Sequence, residues 1–284
     1  MTSATTASFS HAMTLRRADD PAHPAGPVYA ADLNPHWTIG PKIHGGVMVA
    51  LCAKAAHEAA RDGAGASAGA TSPLAVSANF LGAPDPGPVR LATVVRKRGR
   101  RISVVDVELV QADRTAVRAA VTVGVPEEQT EPLLVANPVV AVMTPDPPPD
   151  IPPIGPGHPM AEINHLAAGC DIRPDMTSVW SHEAGRSPLI RSWVRPRGEP
   201  TDALFALTAG DISMPVTFAV GRTGWAPTVQ LTAYLRGEPA DGWLRVVCTT
   251  SQIGQTWFDA DHTVVDSAGR VVVQTRQLAM VPPP

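Results

Sequence analysis

Three polar side chains in the C-terminal part of the sequence, Asp211, Thr228 and Gln277, are of types that together can activate a water molecule. Asp211 stands in an apolar, alanine-rich stretch (residues 202–212, DALFALTAGDI) that reads as an inward-facing helix. A carboxylate there is costly to bury unless donors meet it, and Thr228 and Gln277, on strands, are candidate donors. Such a set can hold a water whose proton passes to Asp211 as general base, while the hydroxyl and the amide orient it for attack on an acyl carbonyl. A thioester is a fitting target, its carbonyl being more electrophilic than an ester's. Gly45 and Gly46 open another helix, where they let a substrate carbonyl approach a backbone N–H, so both are expected to bind substrate and receive the developing oxyanion. On spacing alone, such residues are more often a helix C-cap or exposed residue and an exposed strand pair.

The elements that must position these groups repeat. Residues 45–60 (GGVMVALCAKAAHEAA) have the composition of a helix packed tightly on a sheet, and residues 202–212 are their counterpart. Strand-like runs follow each helix. Phe80-Leu81 faces Tyr234-Leu235 at an offset of 154, which also sets Thr228 against Leu74, whereas Asp106 faces Asp261 at 155, setting Gln277 against Thr122. Asp211 falls roughly where Lys54 stands. The first half carries no comparable polar trio, so the second half is expected to hold the chemistry. Between the halves, residues 125–160 are rich in proline and acidic residues, which suits neither a helix interior nor a central strand. They read as a semi-extended strap joining one unit, residues 1–124, to another, residues 161–284. The fold class expected is α+β: in each unit a long helix wrapped by a curled antiparallel sheet, with the two sheets joined.

Composition narrows the function. The 284 residues carry a formal net charge of −3, and only one short basic run occurs (Arg96, Lys97, Arg98, Arg100, Arg101), so a nucleic-acid binder is not expected. That run reads as a solvated hairpin end or as a contact for an anionic phosphate. Three scattered cysteines (Cys52, Cys170, Cys248) suggest neither disulfides nor a metal site, and no stretch reaches membrane-spanning length. A cytoplasmic protein without metal or cofactor is expected. Gly65-Ala-Ser67-Ala-Gly69 satisfies a serine-hydrolase pattern but lacks the flanking strand and helix that a nucleophile elbow requires.

The residues Ile43-His-Gly-Gly-Val-Met-Val-Ala50, Asn79-Phe80-Leu81 with Pro84 and Gly87, and the closing Gly269-Arg-Val-Val-Val-Gln-Thr-Arg-Gln277 are similar to motifs of the bacterial acyl-CoA thioesterase II family and its actinobacterial relatives, over most of the chain. The resemblance implies a double hotdog fold, an acyl-CoA substrate, and Asp211, Thr228 and Gln277 as the family's catalytic residues. One departure is Gln230, where the family often has Asp. Gln230 either contacts substrate and positions water in its place or lowers activity. Exposed edges of hotdog sheets commonly pair, which leaves a homo-oligomer open. Two alternatives stand beside this reading. Asp32-Leu-Asn-Pro-His36 with His44 resembles the Asp and His pattern of hotdog enoyl-CoA hydratases, and a non-catalytic acyl-CoA-binding protein fits a diverged site.

Overall fold

The computed structural model describes residues 7–18, 26–62, 71–127, 131–180 and 187–284; the serine-hydrolase-like stretch around Ser67 lies outside them. The first half contributes β1 (Arg16–Ala18), β2 (Val28–Leu33), the small hairpin β3 (Thr38–Ile39) and β4 (Lys42–Ile43), and then the long helix Gly45–Arg61. β5 (Ser72–Phe80), β6 (Gly87–Arg98), β7 (Ile102–Gln111) and β8 (Arg114–Gly124) follow. The second half contributes β9 (Cys170–Pro174), β10 (Ile190–Pro196), the short helix Ala203–Ala209, β11 (Thr228–Leu235), β12 (Leu244–Thr249), β13 (Trp257–Val265) and β14 (Val271–Met280).

Twelve of these strands form one sheet in the order β1-β2-β6-β7-β8-β5-β11-β14-β13-β12-β10-β9. Read outward from the β5–β11 junction, each half runs through the same succession of strands. That junction is antiparallel and sets Ser77 opposite Thr232, Val76 opposite Ala233 and Ala78 opposite Leu231. The buried positions Val76 and Ala78 match Leu231 and Ala233, and the exposed Asn79 matches Tyr234, at an offset of 155. The offset of 154 expected from Phe80 and Tyr234 is therefore corrected. Because side chains alternate across a strand, a slip of one residue exchanges faces, and Tyr234 points to solvent while Phe80 does not. Bulges bear this out: Leu74 is the extra residue in β5 and Val229 in β11. In the closing strands the bulged residues are Ala116 and Val272, so Gln277 matches the fully buried Val121 and not Thr122.

The long helix lies across β5 to β8 and alongside the short helix of the second half. Its alanines, among them Ala53, Ala56 and Ala59, are fully buried, because small side chains let helix and sheet approach closely. Arg98 closes its C-terminus, donating to the carbonyls of Ala60 (2.7 Å), Ala59 (3.1 Å) and Asp62 (2.6 Å). This member of the basic run is thus a helix cap, and it lies at the end of the helix opposite Gly45, roughly 24 Å away at 1.5 Å per residue.

The second helix is shorter than expected. Asp202 caps its start by accepting from the Phe205 N–H, and it stops at Ala209, leaving Asp211 in the turn beyond it and not inside a helix. Packing demands glycine at the C-cap: a Cβ on Gly210 would come within 2.6 Å of Thr275 Cγ2 on β14. The comparison of Asp211 with Lys54 lapses accordingly.

Residues 139–154, within the stretch expected to form a semi-extended strap, lie against the second half's sheet. Val139 and Met143 bury against Trp193, Val247 and Val265, on the sheet face opposite the helices. Proline-rich chain has few N–H donors but keeps its carbonyls, and the sheet supplies the donors. Arg191 donates to Val142 O, Arg245 to Met143 O, Trp193 Nε1 to Thr144 O and Arg173 to Ile151 O. Replacing Arg98 by Ala removes three bonds to helix-end carbonyls. Denaturant unfolding should show a loss of ~1 kcal/mol, with cavity ligand binding unchanged.

Candidate functional site

A cavity of about 700 Å³ lies where the two halves meet, and Asp211, Thr228, Gln277, His44 and Gly45 all line it. The rest of its wall is largely apolar, with Met48, Phe80, Ile172, Met214 and Phe258 among the residues that face it. A large apolar space with a few convergent polar groups is the usual form of a small-molecule site.

Asp211 sits at the N-terminus of the other half's long helix. Its side chain is about 10% exposed, and its Oδ2 lies 3.7 Å from His44 Nε2. The Gly46 N–H donates to the carboxylate, and His44 Nε2 donates to the Asp211 carbonyl oxygen at 3.1 Å. Unpaired N–H groups and the helix dipole favour an anion there. The two glycines make the approach possible: a Cβ on Gly45 would lie 2.7 Å from Asp211 Oδ2, and one on Gly46 would lie 2.6 Å from the Thr208 carbonyl oxygen. Burial nonetheless pushes the Asp211 carboxyl above its ordinary range, with the His44 charge and the Gly46 N–H only partly opposing it. His44 Nδ1 is buried and has no hydrogen-bond partner among the described residues.

Thr228 and Gln277 come from adjacent strands. The Thr228 hydroxyl donates to Gln277 Oε1 at 3.0 Å. The bulge at Val229 turns Thr228 to the inner face, ahead of the outward Gln230. Because Thr228 spends its proton on the amide oxygen, it orients Gln277, whose N–H groups are left as donors. In the first half the matching positions are Pro73 and Val121, neither with a polar side chain, so this hydroxyl–amide pair is not repeated there.

Not every expected residue reaches the cavity. Gln230 is absent from its wall; the Gln230 amide donates to Ser77 and Thr232 hydroxyls on the opposite face of the sheet. Asp32 is exposed and paired with Arg16 at 2.9 Å, and neither it nor His36 lines the cavity, so the hydratase arrangement is not assembled. His44 lines the cavity as a neighbour of Asp211, a role that the sequence reading did not give it. Also unforeseen was a buried chain from Thr275 through His262 to Ser213, which lines the wall two residues after Asp211. Nothing in the local sequence signals it, because its members lie on three separate segments. Among the described residues, no three His, Cys, Asp or Glu side chains cluster as metal ligands.

A pair of fused helix-and-sheet units sharing one sheet around an internal cavity defines the fold class. It is similar to a hotdog-fold protein from Alicyclobacillus acidocaldarius (TM-score 0.73, 19% identity, 97% of this chain and 98% of that one). It is also similar to an acyl-CoA thioesterase II from Mycobacterium marinum (TM-score 0.68, 14% identity, 97% of each chain). A candidate thioesterase II from Thermobifida fusca YX matches with a TM-score of 0.77 and 25% identity over 97% of each chain. Proteins of Mycobacterium tuberculosis and Mycobacterium bovis, described only as uncharacterized, are 60% identical over 96% of this chain and 98% of theirs. The fold is the hotdog fold, present twice.

Residues 33–124 match the family model of the acyl-CoA thioesterase N-terminal domain and residues 144–281 that of the acyl-CoA thioesterase C-terminal domain. The chain belongs to the acyl-CoA thioesterase family and is a thioester hydrolase.

The raised carboxyl has a consequence for stability. A group that holds its proton more tightly when folded favours the fold at low pH, and this contribution is lost as pH rises through the folded value. At neutral pH, Asp211→Asn should therefore raise the thermal midpoint above that of the wild type. The gap should close as the pH is lowered through the raised value and wild-type Asp211 becomes protonated.

Proposed function

We propose that the cavity hydrolyses acyl-CoA thioesters at a single site, with Asp211 as general base, Gln277 as the donor that holds the attacking water and Thr228 as the group that orients Gln277. The observation that carries this reading is a nine-tenths-buried carboxylate lining the same apolar cavity as a hydroxyl-fixed amide.

Water adds to the thioester carbonyl carbon and its proton passes to Asp211; a pKa raised by burial makes the carboxylate a stronger base than an exposed aspartate. Negative charge builds on the carbonyl oxygen. The backbone N–H of Gly45, on the cavity wall in the first turn of the long helix, is suited to receive it, whereas the Gly46 N–H, expected to share that role, is taken by the Asp211 carboxylate. Collapse of the tetrahedral intermediate breaks the C–S bond, and Asp211 returns the proton to the departing thiolate. Free acid and CoA thiol result. The apolar wall suits the acyl chain, and no bound cofactor is required. Buried, unpaired cysteines suit a reducing compartment, the cytoplasm.

Thiol release from butyryl-, octanoyl-, dodecanoyl- and hexadecanoyl-CoA is the direct test. Asp211→Ala should reduce kcat by ~1,000-fold or more, with the far-UV spectrum and unfolding transition retained. Asp32→Ala should leave the rate within about twofold of wild type, since a surface ion pair contributes little. Equal loss in both variants would overturn the assignment. Because Asp211 must be ionised to act, kcat/KM should fall on the acid side at a pH above the usual aspartate range.

A further inference from the structure

A chain of hydrogen bonds beneath Asp211 fixes the direction of one more hydroxyl in the cavity. Thr275 Oγ1 lies 2.6 Å from the Gly210 carbonyl oxygen, which can only accept, so the single hydroxyl proton of Thr275 points there. His262 Nδ1 is 3.1 Å from the same Thr275 oxygen and must therefore donate to it. Burial, with the His44 charge as a lesser cause, lowers the His262 pKa to about 4, so the ring is neutral near neutral pH and its Nε2 is an acceptor. Ser213 Oγ, 2.8 Å from Nε2, donates its proton inward. What Ser213 presents to the cavity that it lines is accordingly its oxygen lone pairs. The buried Cys248 thiol, held protonated with its pKa pushed up to about 12, is a further hydrogen-bonding neighbour of Ser213 and also has Thr249 O at 3.9 Å; a thiol proton given to Ser213 Oγ takes one lone pair and leaves the other to the cavity.

We infer that Ser213 is a further catalytic residue: its fixed lone pair accepts the second hydrogen of the attacking water, and His262 and Thr275 are positioning residues that lock it in that state. This rests on the hydrolytic reading above. A water that gives one hydrogen to Asp211 and accepts from Gln277 still has a second hydrogen free to swing. A second acceptor, two residues along the same turn, fixes it, so that the remaining lone pair faces the carbonyl carbon. Ser213 does not itself attack. An attacking serine would need His262 to become an imidazolium, and at Nδ1 that ring meets a hydroxyl and no carboxylate, in a site where burial opposes the charge.

The test uses the full chain with the same four acyl-CoAs. Ser213→Ala, which removes one oxygen, should lower kcat by ~10–100-fold while KM changes by less than about threefold. Thr275→Val, which frees the ring to reverse its donor and acceptor nitrogens, should lower kcat by at least about fivefold, and Thr275→Ser should restore it. A kcat for Ser213→Ala within about twofold of wild type overturns the inference, as does a rise in KM alone. An acyl group found on Ser213 by mass spectrometry of acid-quenched wild type overturns it in favour of a nucleophile. Should Thr275→Val fail to fold, the Ser213→Ala result decides by itself. Thiol release by wild type together with its loss in Asp211→Asn supports the parent reading independently, so an unchanged Ser213→Ala then sinks this inference alone. No release from any of the four substrates sinks both.

Discussion

The contact on which the rest of the molecule turns is the one between the Asp211 turn of the second half and the first turn of the long helix in the first half. Gly45 and Gly46 carry no side chain where the Asp211 carboxylate and the Thr208 carbonyl come in, and any Cβ would lie within 2.7 Å of one of these oxygens. That closeness gives the carboxylate a helix N-terminus and a backbone N–H as partners while the surrounding apolar wall removes most of its water. The two effects oppose each other, and burial prevails. The result is a charge tolerated in the interior yet raised in basicity, a combination that suits proton transfer.

One sheet shared by two units explains why, among the described residues, the polar groups of the proposed site gather on one side. A symmetric pair would offer two equivalent junctions between helix start and facing turn. Here the long helix supplies an open N-terminus, whereas the short helix begins at Asp202, which caps it. At the strand positions the second half has Thr228 and Gln277 where the first has Pro73 and Val121. Duplication supplied the frame, and divergence put hydrogen-bonding groups on one side of it and plain packing on the other. The first half still takes part, since His44 and the glycines come from it. Neither unit alone holds the whole arrangement.

The proline-rich segment between the halves serves the same frame. Its carbonyls are held by Arg191, Arg245, Trp193 and Arg173 on the far face of the second sheet, so that face is covered by chain that itself forms no strand. The outer face of the first sheet instead carries charged pairs such as Arg118 with Glu108 and Arg96 with Asp106. The halves therefore share a topology but differ in how each keeps its outer surface compatible with water.

The sequence by itself determined the two-unit plan and the helix opened by two glycines, because these follow from local composition, periodicity and a repeat visible along the chain; Asp211, Thr228 and Gln277 stood out by residue type and by resemblance to a family. Register lay beyond its reach. Phe80 and Tyr234 look equivalent, yet the bulges at Leu74 and Val229 match at an offset of 155, one residue from the apparent one, and a slip of one residue reverses which face each side chain takes. The bulge at Val229 likewise puts Gln230, two positions from Thr228, on the opposite face. Only the tertiary structure decided that Asp211 lies past the end of its helix, that His44 stands beside it, and that Ser213, His262 and Thr275 form a chain beneath it. These are contacts between segments far apart in sequence, and their geometry depends on how closely two backbones can approach, which a string of residues does not record.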